Sequence, residues 1–473
     1  LLSELDRKTR QKDFSRYRLE ILGEETFDPR KADELLKEQL SVRSLIGFGC
    51  ENMPSGITAA GALVAYLRET QKRFPPHIKE IVTYHMGEFM ILDASTCTHL
   101  ELLKTIRDQS AKGSLCQILD QSVTPMGSRL LKNWIAYPLV HMDPIQERLA
   151  AVACLKDDPA LRQVLRSELG EIYDMARLNG KIAMKRANAR DLLALKASIL
   201  ILPAVKDVIS ESSSILLSRL GSRLDVLHDV ASLIQEAIHE DPPVSIKDGG
   251  IIREGYRQEL DKLVTLSRDG KSWIAGFAAS EKERTGINSL KVGFNKVFGY
   301  YIEISKANLN LVPEDYIRKQ TLVNGERYIT EALKRKEGEV LGAEEKRVAL
   351  ELEIFEEIRS RISLENQRIT ETTEIIAWID ALAGLAETAE RNNYTHPQIN
   401  ESTDLKIIQG RHPVIEQTVK GEEFVPNDIH MDAQKQQVII LTGPNMAGKS
   451  TILRQTALTV LMAQMGSFVP AKK

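Results

Sequence analysis

Hydrophobic positions recur at intervals of three and four residues through most of the chain, which predicts a mainly α-helical protein. The pattern is nearly continuous from residue 93 to residue 246, as in Leu192, Leu195 and Ile199, so an all-α core is expected there. Turns are expected at residues 113–114, 138, 143–144, 158–159, 203 and 241–243, where glycine or proline interrupts the pattern.

Residues 1–73 predict a small mixed domain, or part of one. A charged helical pattern over residues 28–40 is followed by a buried turn at residues 45–49 and by a helix that begins after Ser55 and Gly56. Residues 73–76 have the sequence Arg-Phe-Pro-Pro, which favours a boundary. Because no cap or strand precedes Leu1, a further N-terminal segment is expected in the parent protein.

The hydrophobic period changes near Leu290, where alternating apolar residues predict two short strands joined near residues 295–299. This β-island carries the cations Lys291, Lys296, Lys306, Arg318, Lys319 and Arg327. From residue 281 to residue 327 there are eight Lys or Arg and six Asp or Glu, so the segment is only mildly basic. A patch that contacts a nucleic-acid backbone and an ordinary solvated surface both fit this composition.

After Arg327 the pattern is helical to about Arg391, with no proline. Apolar residues spaced seven apart form a seam: Leu341, Val348, Phe355, Ile362, Ile369 and Ile376. Such a seam needs a partner helix, and residues 255–279 are the candidate for an antiparallel one. If residues 343–381 form a single helix, it is roughly 60 Å long and acts as a lever that holds the β-island far from the chain's C-terminal part.

The C-terminal part carries the strongest chemical signal. An apolar run at residues 438–441 predicts a strand, the pattern G-x-x-x-x-G-K-S ends at Ser450, and a helix without Gly or Pro follows. Consecutive N–H groups of such a loop cradle phosphates, Lys449 reaches the β- and γ-phosphates, and the Ser450 hydroxyl binds Mg²⁺. The alternative is a Gly-rich turn with an exposed lysine. Upstream, Phe424 is a candidate for base stacking or for the core, and His412 is more typical of a hydrogen-bonded structural residue.

Composition excludes several classes of protein. The formal net charge is -3 and 27% of residues are charged, so the chain is neither disordered nor globally basic. Its four cysteines show no C-x-x-C spacing, which favours buried, reduced thiols over a disulfide framework or a zinc site. No apolar run is long enough to span a bilayer and no signal segment opens the chain. A soluble, intracellular protein is expected.

Several motifs together carry a resemblance to a known family: TGPNMAGKSTILRQTALTVLMAQMGSFVPA, FVPNDI, GRHPVIEQ, GINSLKVGFNKVFGYYIEIS, DGGIIREGYRQELDKL, VTPMGSRLLKNWIAYPL, ILDASTCTHLEL and GFGCENMP. In this order they resemble the bacterial branch of the MutS family of DNA mismatch-repair ATPases over nearly the whole chain. The resemblance implies a mixed, predominantly α fold. The implied parts are an α/β connector (1–73), a helical core (74–254), a lever helix (255–280), a clamp (281–328), a returning lever helix (329–391) and the start of an ABC-type α/β ATPase domain with a P-loop (392–473).

The resemblance also implies sites and partners. The implied nucleotide site consists of Phe424 beside the adenine and of Gly443, Pro444, Asn445, Met446, Ala447, Gly448, Lys449, Ser450 and Thr451 at the phosphates, with Ser450 on Mg²⁺. The implied DNA contacts are Lys291, Lys296, Arg318 and Lys319. ATP, ADP and Mg²⁺ are the implied cofactors. A homodimer that encircles mismatched double-stranded DNA, becomes a sliding clamp and recruits MutL is implied, in a bacterial cytoplasm at the nucleoid and not at a membrane.

The chain departs from the family pattern at both ends. The mismatch-reading domain with its Phe-x-Glu hallmark is absent, and so are the acidic Walker B strand, the signature loop and the dimerisation helices. A fragment is therefore expected, with ATP hydrolysis lost in this chain alone. Two further alternatives stay open, namely a DNA-binding structural module without turnover and a relative that acts on recombination intermediates.

Overall fold

A computed structural model describes residues 24–48, 50, 52–72, 78, 81, 83, 86–210, 212–243, 245, 249–295, 299–418, 424–444 and 447–473. The chain divides into two units, residues 1–91 and residues 92–473. Most of the described residues are helical and the strands form small antiparallel sheets, which confirms a predominantly α fold. Within these ranges, no helix is both long and apolar enough to cross a membrane. The boundary expected at residues 73–76 lies outside the described residues.

The first unit contains two packed helices, α1 (Pro29–Leu40) and α2 (Pro54–Gln71). The Asp28 carboxylate accepts hydrogen bonds from two backbone N–H groups of the first turn of α1, which starts that helix. The helices approach closely at Gly61, where a Cβ would lie 2.4 Å from the Cβ of Ala32. The described residues of this unit form no strand, so the α/β character expected here is not seen among them.

The second unit holds all the remaining elements. Its helices in chain order are α3 (Ala94–His99), α4 (Leu115–Leu119), α5 (Pro125–Ala136), α6 (Met142–Asp157), α7 (Pro159–Gly170), α8 (Met175–Ala183), α9 (Ala189–Ser210), α10 (Ile215–Arg223), α11 (His228–Ala237), α12 (Gln258–Thr285), α13 (Glu331–Leu364), α14 (Asn366–Arg391), α15 (Ile415–Thr418) and α16 (Lys449–Gln464). Its strands are β1 (Lys291–Asn295), β2 (Gly299–Ser305), β3 (Ile317–Thr321), β4 (Gly325–Ile329), β5 (Leu405–Gly410) and β6 (Asn427–Met431).

The centre of the helical core is α14. Its buried residues lie on every side of the helix, from Ile369 to Ala389, and α5, α6, α7 and α8 pack against it. A helix that is apolar all round is one enclosed by protein. The all-α core expected from the periodicity is confirmed.

A buried carboxylate joins α5 to α14. Asp380 has no exposed surface and accepts hydrogen bonds from the N–H groups of Val123 (3.0 Å) and Thr124 (2.7 Å) and from the Thr124 hydroxyl (2.6 Å). Burial raises the pKa of Asp380, and the hydrogen bonds from Thr124 oppose that rise. A Cβ at Gly127 would lie 2.3 Å from Asp380 Oδ2, so glycine is required for this approach. The carboxylate thus lies at the positive end of the α5 dipole.

The turn expected at Pro203 is wrong, because α9 continues through it. Proline removes one backbone hydrogen bond and crowds the preceding turn, which costs about 3 kcal/mol in a helix. Here Ile199, Leu202 and Val205 are fully buried on both sides of the proline. Their burial is worth roughly 1.5 to 3 kcal/mol for each side chain and offsets that cost.

The helices α12 and α13 form an antiparallel pair, here called the lever pair. Arg257 lies 2.6 Å from Glu357 near one end. Towards the other end, a Cβ at Gly270 would lie 2.2 Å from Val340 Cγ2, so the helix axes come close there. The partner expected for the seam is confirmed, and the 34 residues of α13 span about 50 Å.

The single helix expected over residues 343–381 is wrong, because the helix breaks at Glu365. Arg368 pairs with Glu365 at the break and with Asp225 (2.8 Å) and Asp229 (2.9 Å), which fastens the first turn of α14 to the start of α11. The apolar seam nevertheless continues across the break, since Ile362 and Ile369 are both fully buried. The N-terminal part of the seam is less buried, since Leu341 is 38% exposed.

A four-stranded antiparallel sheet, here called the tip sheet, lies in the chain between α12 and α13. Its strand order is β1-β2-β4-β3, and the pairing of β1 with β2 confirms the predicted hairpin. Ile302 and Ile304 of β2 are fully buried against Leu333 of α13. Strands β3 and β4 escaped prediction because their sequences, IRKQT and GERYI, carry too few apolar residues to show alternation.

The C-terminal region contains a two-stranded sheet, formed by β5 and β6, and helix α16. The strand expected at residues 438–441 is wrong, because these residues form no strand. Val438 is 78% exposed and Ile440 is 82% exposed, and the described residues offer this segment no neighbouring strand. The strand-loop-helix order is therefore present only as loop and helix, and the start of an α/β domain is not seen.

Candidate functional site

Two glycines before α16 have positive backbone φ angles. Gly443 (φ +149°) and Gly448 (φ +85°) both lie in the left-handed region that favours glycine. Gly448 is the N-cap of α16 and supplies no side-chain cap, so the first N–H groups of the helix lack a side-chain partner at this end. Such a helix end carries partial positive charge and suits a phosphate group.

Lys449 adds a full positive charge at the N-terminus of α16. Its Nζ donates hydrogen bonds to the carbonyl oxygens of Gly443 (2.5 Å) and Pro444 (2.7 Å), so the side chain folds back over the loop. Carbonyl oxygens do not neutralise an ammonium group, and the charge stays available to an anion. Asn445 and Met446 lie outside the described residues.

Ser450 and Thr451 line a pocket of about 100 Å³ beside the first turn of α16. The same pocket is lined by Glu101 and Arg454, whose Oε2 and Nη1 atoms lie 3.2 Å apart. Ser450 is exposed. Phe424 is half-buried just before β6.

His412 lines this pocket and has a structural role. Its Nδ1 accepts hydrogen bonds from the N–H groups of Val414 and Ile415, each at 3.3 Å, at the start of α15. Burial, assisted by the charge of Arg454, lowers the pKa of His412 from its ordinary value of 6.5 to about 4. The ring is neutral at neutral pH, and the interpretation of His412 as a hydrogen-bonded structural residue is confirmed.

This histidine makes the fold sensitive to acid. Between pH 6.5 and 4 the unfolded chain binds a proton at His412 that the folded chain does not, so stability falls as the pH is lowered. The difference between a pKa of 6.5 and a pKa of about 4 amounts to about 3 kcal/mol once the pH is below 4. We expect His412→Asn, whose side-chain oxygen replaces Nδ1 as the acceptor, to show a smaller loss of unfolding free energy between pH 7 and 4.5. Urea titrations at both pH values measure this, and equal losses in the two proteins would contradict it.

The tip sheet presents one row of polar side chains on a single face. The row runs over all four strands and consists of Lys291, Glu303, Arg327 and Gln320. Arg327 donates to Glu303 (3.0 Å) and to Gln320 (3.0 Å). Its guanidinium carbon also lies 4.2 Å from the centroid of the Tyr301 ring. Lys291 at the end of the row is exposed and suits a phosphate contact.

The other cations predicted for DNA binding are placed differently. Arg318 pairs with the buried Tyr328 across the sheet, on the opposite face from Lys291, and its Nη1 lies 3.4 Å from Glu326. Lys319 is exposed at the register shift between Arg318 and Gln320. Lys296 lies outside the described residues. The structure therefore brings no more than two of the four predicted cations to an open surface free of a carboxylate partner within the described part of the sheet.

Two buried glutamates, which sequence reasoning missed, fasten the tip sheet to the lever pair. On α13, Glu337 accepts a hydrogen bond from the N–H group of Tyr300 (3.0 Å), and a Cβ at Gly299 would lie 2.2 Å from its Oε1. On α12, Glu281 accepts one from the Tyr316 hydroxyl (2.6 Å). The only sequence signal was that both glutamates fall on the apolar, partner-facing side of their helices.

Comparisons with known proteins give one family. A family model described as MutS domain III matches residues 95–386, one described as MutS domain V matches residues 439–473, and one described as MutS domain II matches residues 3–79. Relatives named DNA mismatch repair protein MutS occur in Desulforapulum autotrophicum (48% identical, covering 98% of this chain and 52% of the relative) and in Alkaliphilus oremlandii (49%, covering 94% and 51%). Another, from Halothermothrix orenii, is 50% identical and covers 94% of this chain and 49% of the relative. The chain spans about half the length of these curated relatives.

Proposed function

Because this chain belongs to the MutS family, we propose that it forms part of a DNA mismatch repair protein that couples a nucleotide site to a DNA-binding sheet. The observation that carries the proposal is the pairing, in one chain, of a cationic loop at the start of α16 with a sheet mounted on a 50 Å lever pair. The relatives' name supports the substrate class, namely mismatched duplex DNA.

The loop is proposed to bind ATP or ADP with Mg²⁺. Residues 443–451 would hold the phosphates, with Lys449 as the cation and Ser450 as the Mg²⁺ ligand, and Phe424 would flank the adenine. Bound Mg²⁺ would neutralise phosphate charge. Hydrolysis also needs a carboxylate near the γ-phosphate, and in the described part of the chain none is paired with Lys449 or hydrogen-bonded to Ser450. The proposal for these residues is therefore nucleotide binding, and ATP hydrolysis is proposed for the whole protein.

The tip sheet is proposed to be the clamp that touches the DNA backbone. Lys291 and Lys319 are its candidate phosphate contacts, with Arg318 and Lys296 as further cations from the sequence. The domain assignment proposed with it is a connector (1–73), a helical core (74–254), lever helices (255–280 and 329–391), the clamp (281–328) and the beginning of a P-loop ATPase domain (392–473).

The whole protein is proposed to act as a homodimer in the cytoplasm, at the nucleoid. After ATP replaces ADP it would slide on DNA as a clamp and recruit MutL. This part of the proposal rests on the chain's membership of the MutS family.

Changing Lys291 and Lys319 together to Ala tests the DNA-binding role. We expect weaker binding of a duplex with a G·T mismatch, and a slope of log affinity against log salt that falls by about one for each phosphate that the protein no longer neutralises. Fluorescence anisotropy over a series of salt concentrations measures both quantities.

The matched control is the pair Lys262→Ala and Lys346→Ala, which removes the same charge from exposed positions on the lever pair. It should leave the slope unchanged. Arg318→Ala should have a smaller effect than the Lys291 and Lys319 pair, because Glu326 already neutralises that cation. If the lever control lowers the slope as much as the sheet pair does, the sheet is not the contact surface.

A further inference from the structure

Arg148 of α6 is a buried cation held by aromatic rings. Its relative exposure is 6%, and its guanidinium carbon lies 4.0 Å from the Trp134 ring centroid and 5.0 Å from that of Trp378. The two rings meet edge to face with centroids 4.8 Å apart. Among the described residues no carboxylate pairs with Arg148, and its Nε has no hydrogen-bond partner. Burial lowers the pKa of Arg148 to about 9, which leaves it a cation at neutral pH.

The guanidinium group of Arg148 binds the C-terminal end of α16. Arg148 Nη1 donates a hydrogen bond to the carbonyl oxygen of Met465 (3.0 Å), the C-cap residue of the helix that begins at the phosphate loop. At the next residue, Gly466 (φ +84°), a Cβ would lie 2.5 Å from the Arg148 Cβ. The N–H group of Leu139 donates to the carbonyl oxygen of Gln464 (3.1 Å). The negative end of the α16 dipole is thus seated on the helical core.

Stability alone does not account for an arginine at this position. A buried cation without a carboxylate loses its hydration, and an apolar side chain of similar volume fills such a site at lower cost. The two tryptophan rings and the negative end of the α16 dipole offset part of the desolvation cost. The guanidinium instead fixes the orientation of three helices. Its planar head contacts α5 and α14 through the tryptophan rings and α16 through a hydrogen bond.

These contacts connect the two proposed sites. Helix α16 leads from Lys449 to Met465, and α14, which carries Trp378, follows α13 of the lever pair. We propose that Arg148 is a positioning residue that couples α16 to α14, so that nucleotide at the phosphate loop changes the affinity of the tip sheet for DNA. The inference rests on the proposed function, since it requires that the chain bind both ligands.

The test is a comparison of DNA affinity with and without ADP and Mg²⁺, using the 473-residue chain and a G·T duplex. In the unmodified chain we expect ADP to change the DNA affinity by roughly 5- to 150-fold, the usual range of coupling between two sites. In Arg148→Met, ADP alone and DNA alone should each bind within about threefold of their affinity for the unmodified chain. The ratio of the DNA affinity with ADP to the DNA affinity without ADP should fall to about one. Arg148→Lys, which keeps the charge but loses the planar head, should give a reduced ratio and serves if the methionine variant does not fold.

The matched control is Leu165→Ala, a buried change in α7 that lowers stability without touching α16. Leu165→Ala should keep the ratio of DNA affinities that the unmodified chain shows with and without ADP. A loss of stability alone would then not explain a changed ratio in the Arg148 variants. Three results overturn the inference: Arg148→Met keeps the ratio, Leu165→Ala loses it as well, or the unmodified chain binds both ligands without any effect of ADP. Failure of the unmodified chain to bind ADP or DNA at all contradicts the proposed function itself and the inference with it.

Discussion

Replacing Asp380 by alanine is expected to lower the free energy of unfolding by about 4 kcal/mol, since three hydrogen-bond donors lose their acceptor. Those donors are the N–H groups of Val123 and Thr124 and the Thr124 hydroxyl, and the acceptor has no exposed surface. Because α14 is the centre of the core, the substitution lowers the free energy of cooperative unfolding of the whole core.

The measurement is urea denaturation followed by tryptophan fluorescence, which reports on Trp134 and Trp378 next to this contact. Glu371→Ala removes an exposed carboxylate from the same helix and should change the free energy by less than about 0.5 kcal/mol. A change of under about 1 kcal/mol for Asp380→Ala would mean that the carboxylate is not what holds α5 on α14.

Replacing Lys449 by alanine is expected to weaken ATP binding by at least about 100-fold. Hydrogen bonds to charged groups are worth about 1.5 to 3 kcal/mol each, and two such bonds to the phosphates would give this loss. Among the described residues, Lys449 donates hydrogen bonds to the carbonyl oxygens of Gly443 and Pro444, which it can exchange for phosphate oxygens. The fold should be little affected, because these two partners belong to a surface loop.

Isothermal titration of the chain with ATP in the presence of Mg²⁺ measures this affinity. The control is Lys435→Ala, which removes the same charge from the exposed turn ahead of residues 438–441. Its affinity should equal that of the unmodified chain within about twofold. Unchanged ATP affinity in Lys449→Ala would mean that the loop is a glycine-rich turn with an exposed lysine.

Local patterns predicted that most of the chain is helical, but they did not give every helix boundary and were insufficient wherever pairing decides the structure. The antiparallel partner of α13 followed from its apolar seam, because the seam has to be covered by something. The apolar run at residues 438–441 shows what would fit a buried sheet, but a strand forms only beside another strand, and the described residues place none there. Proline at residue 203 shows the opposite error, since burial on both sides of it outweighs its local cost.

The candidate sites divide in the same way. Glycine and lysine spacing predicts a phosphate loop from sequence alone, since all the parts of such a loop lie within one short segment. The hydrogen bond from Arg148 to Met465 joins residues 317 positions apart, and that from Tyr300 to Glu337 spans 37. No periodicity reveals contacts of that kind. Only the sheet register shows that Arg318 and Lys291 lie on opposite faces.

The uneven burial of α13 determines which part of the molecule opens most readily. The sides of α14 are buried nearly all round, and the last turns of α13 are fully buried as well, at Ile354, Phe355, Ile358 and Ile362. The part of α13 nearer the tip sheet is more exposed, as at Leu341. Native proteins come apart locally in cooperative units whose free energies differ. The tip sheet and the exposed part of the lever pair can therefore fray and re-form as one such unit, while the last turns of α13 stay closed in the core around α14.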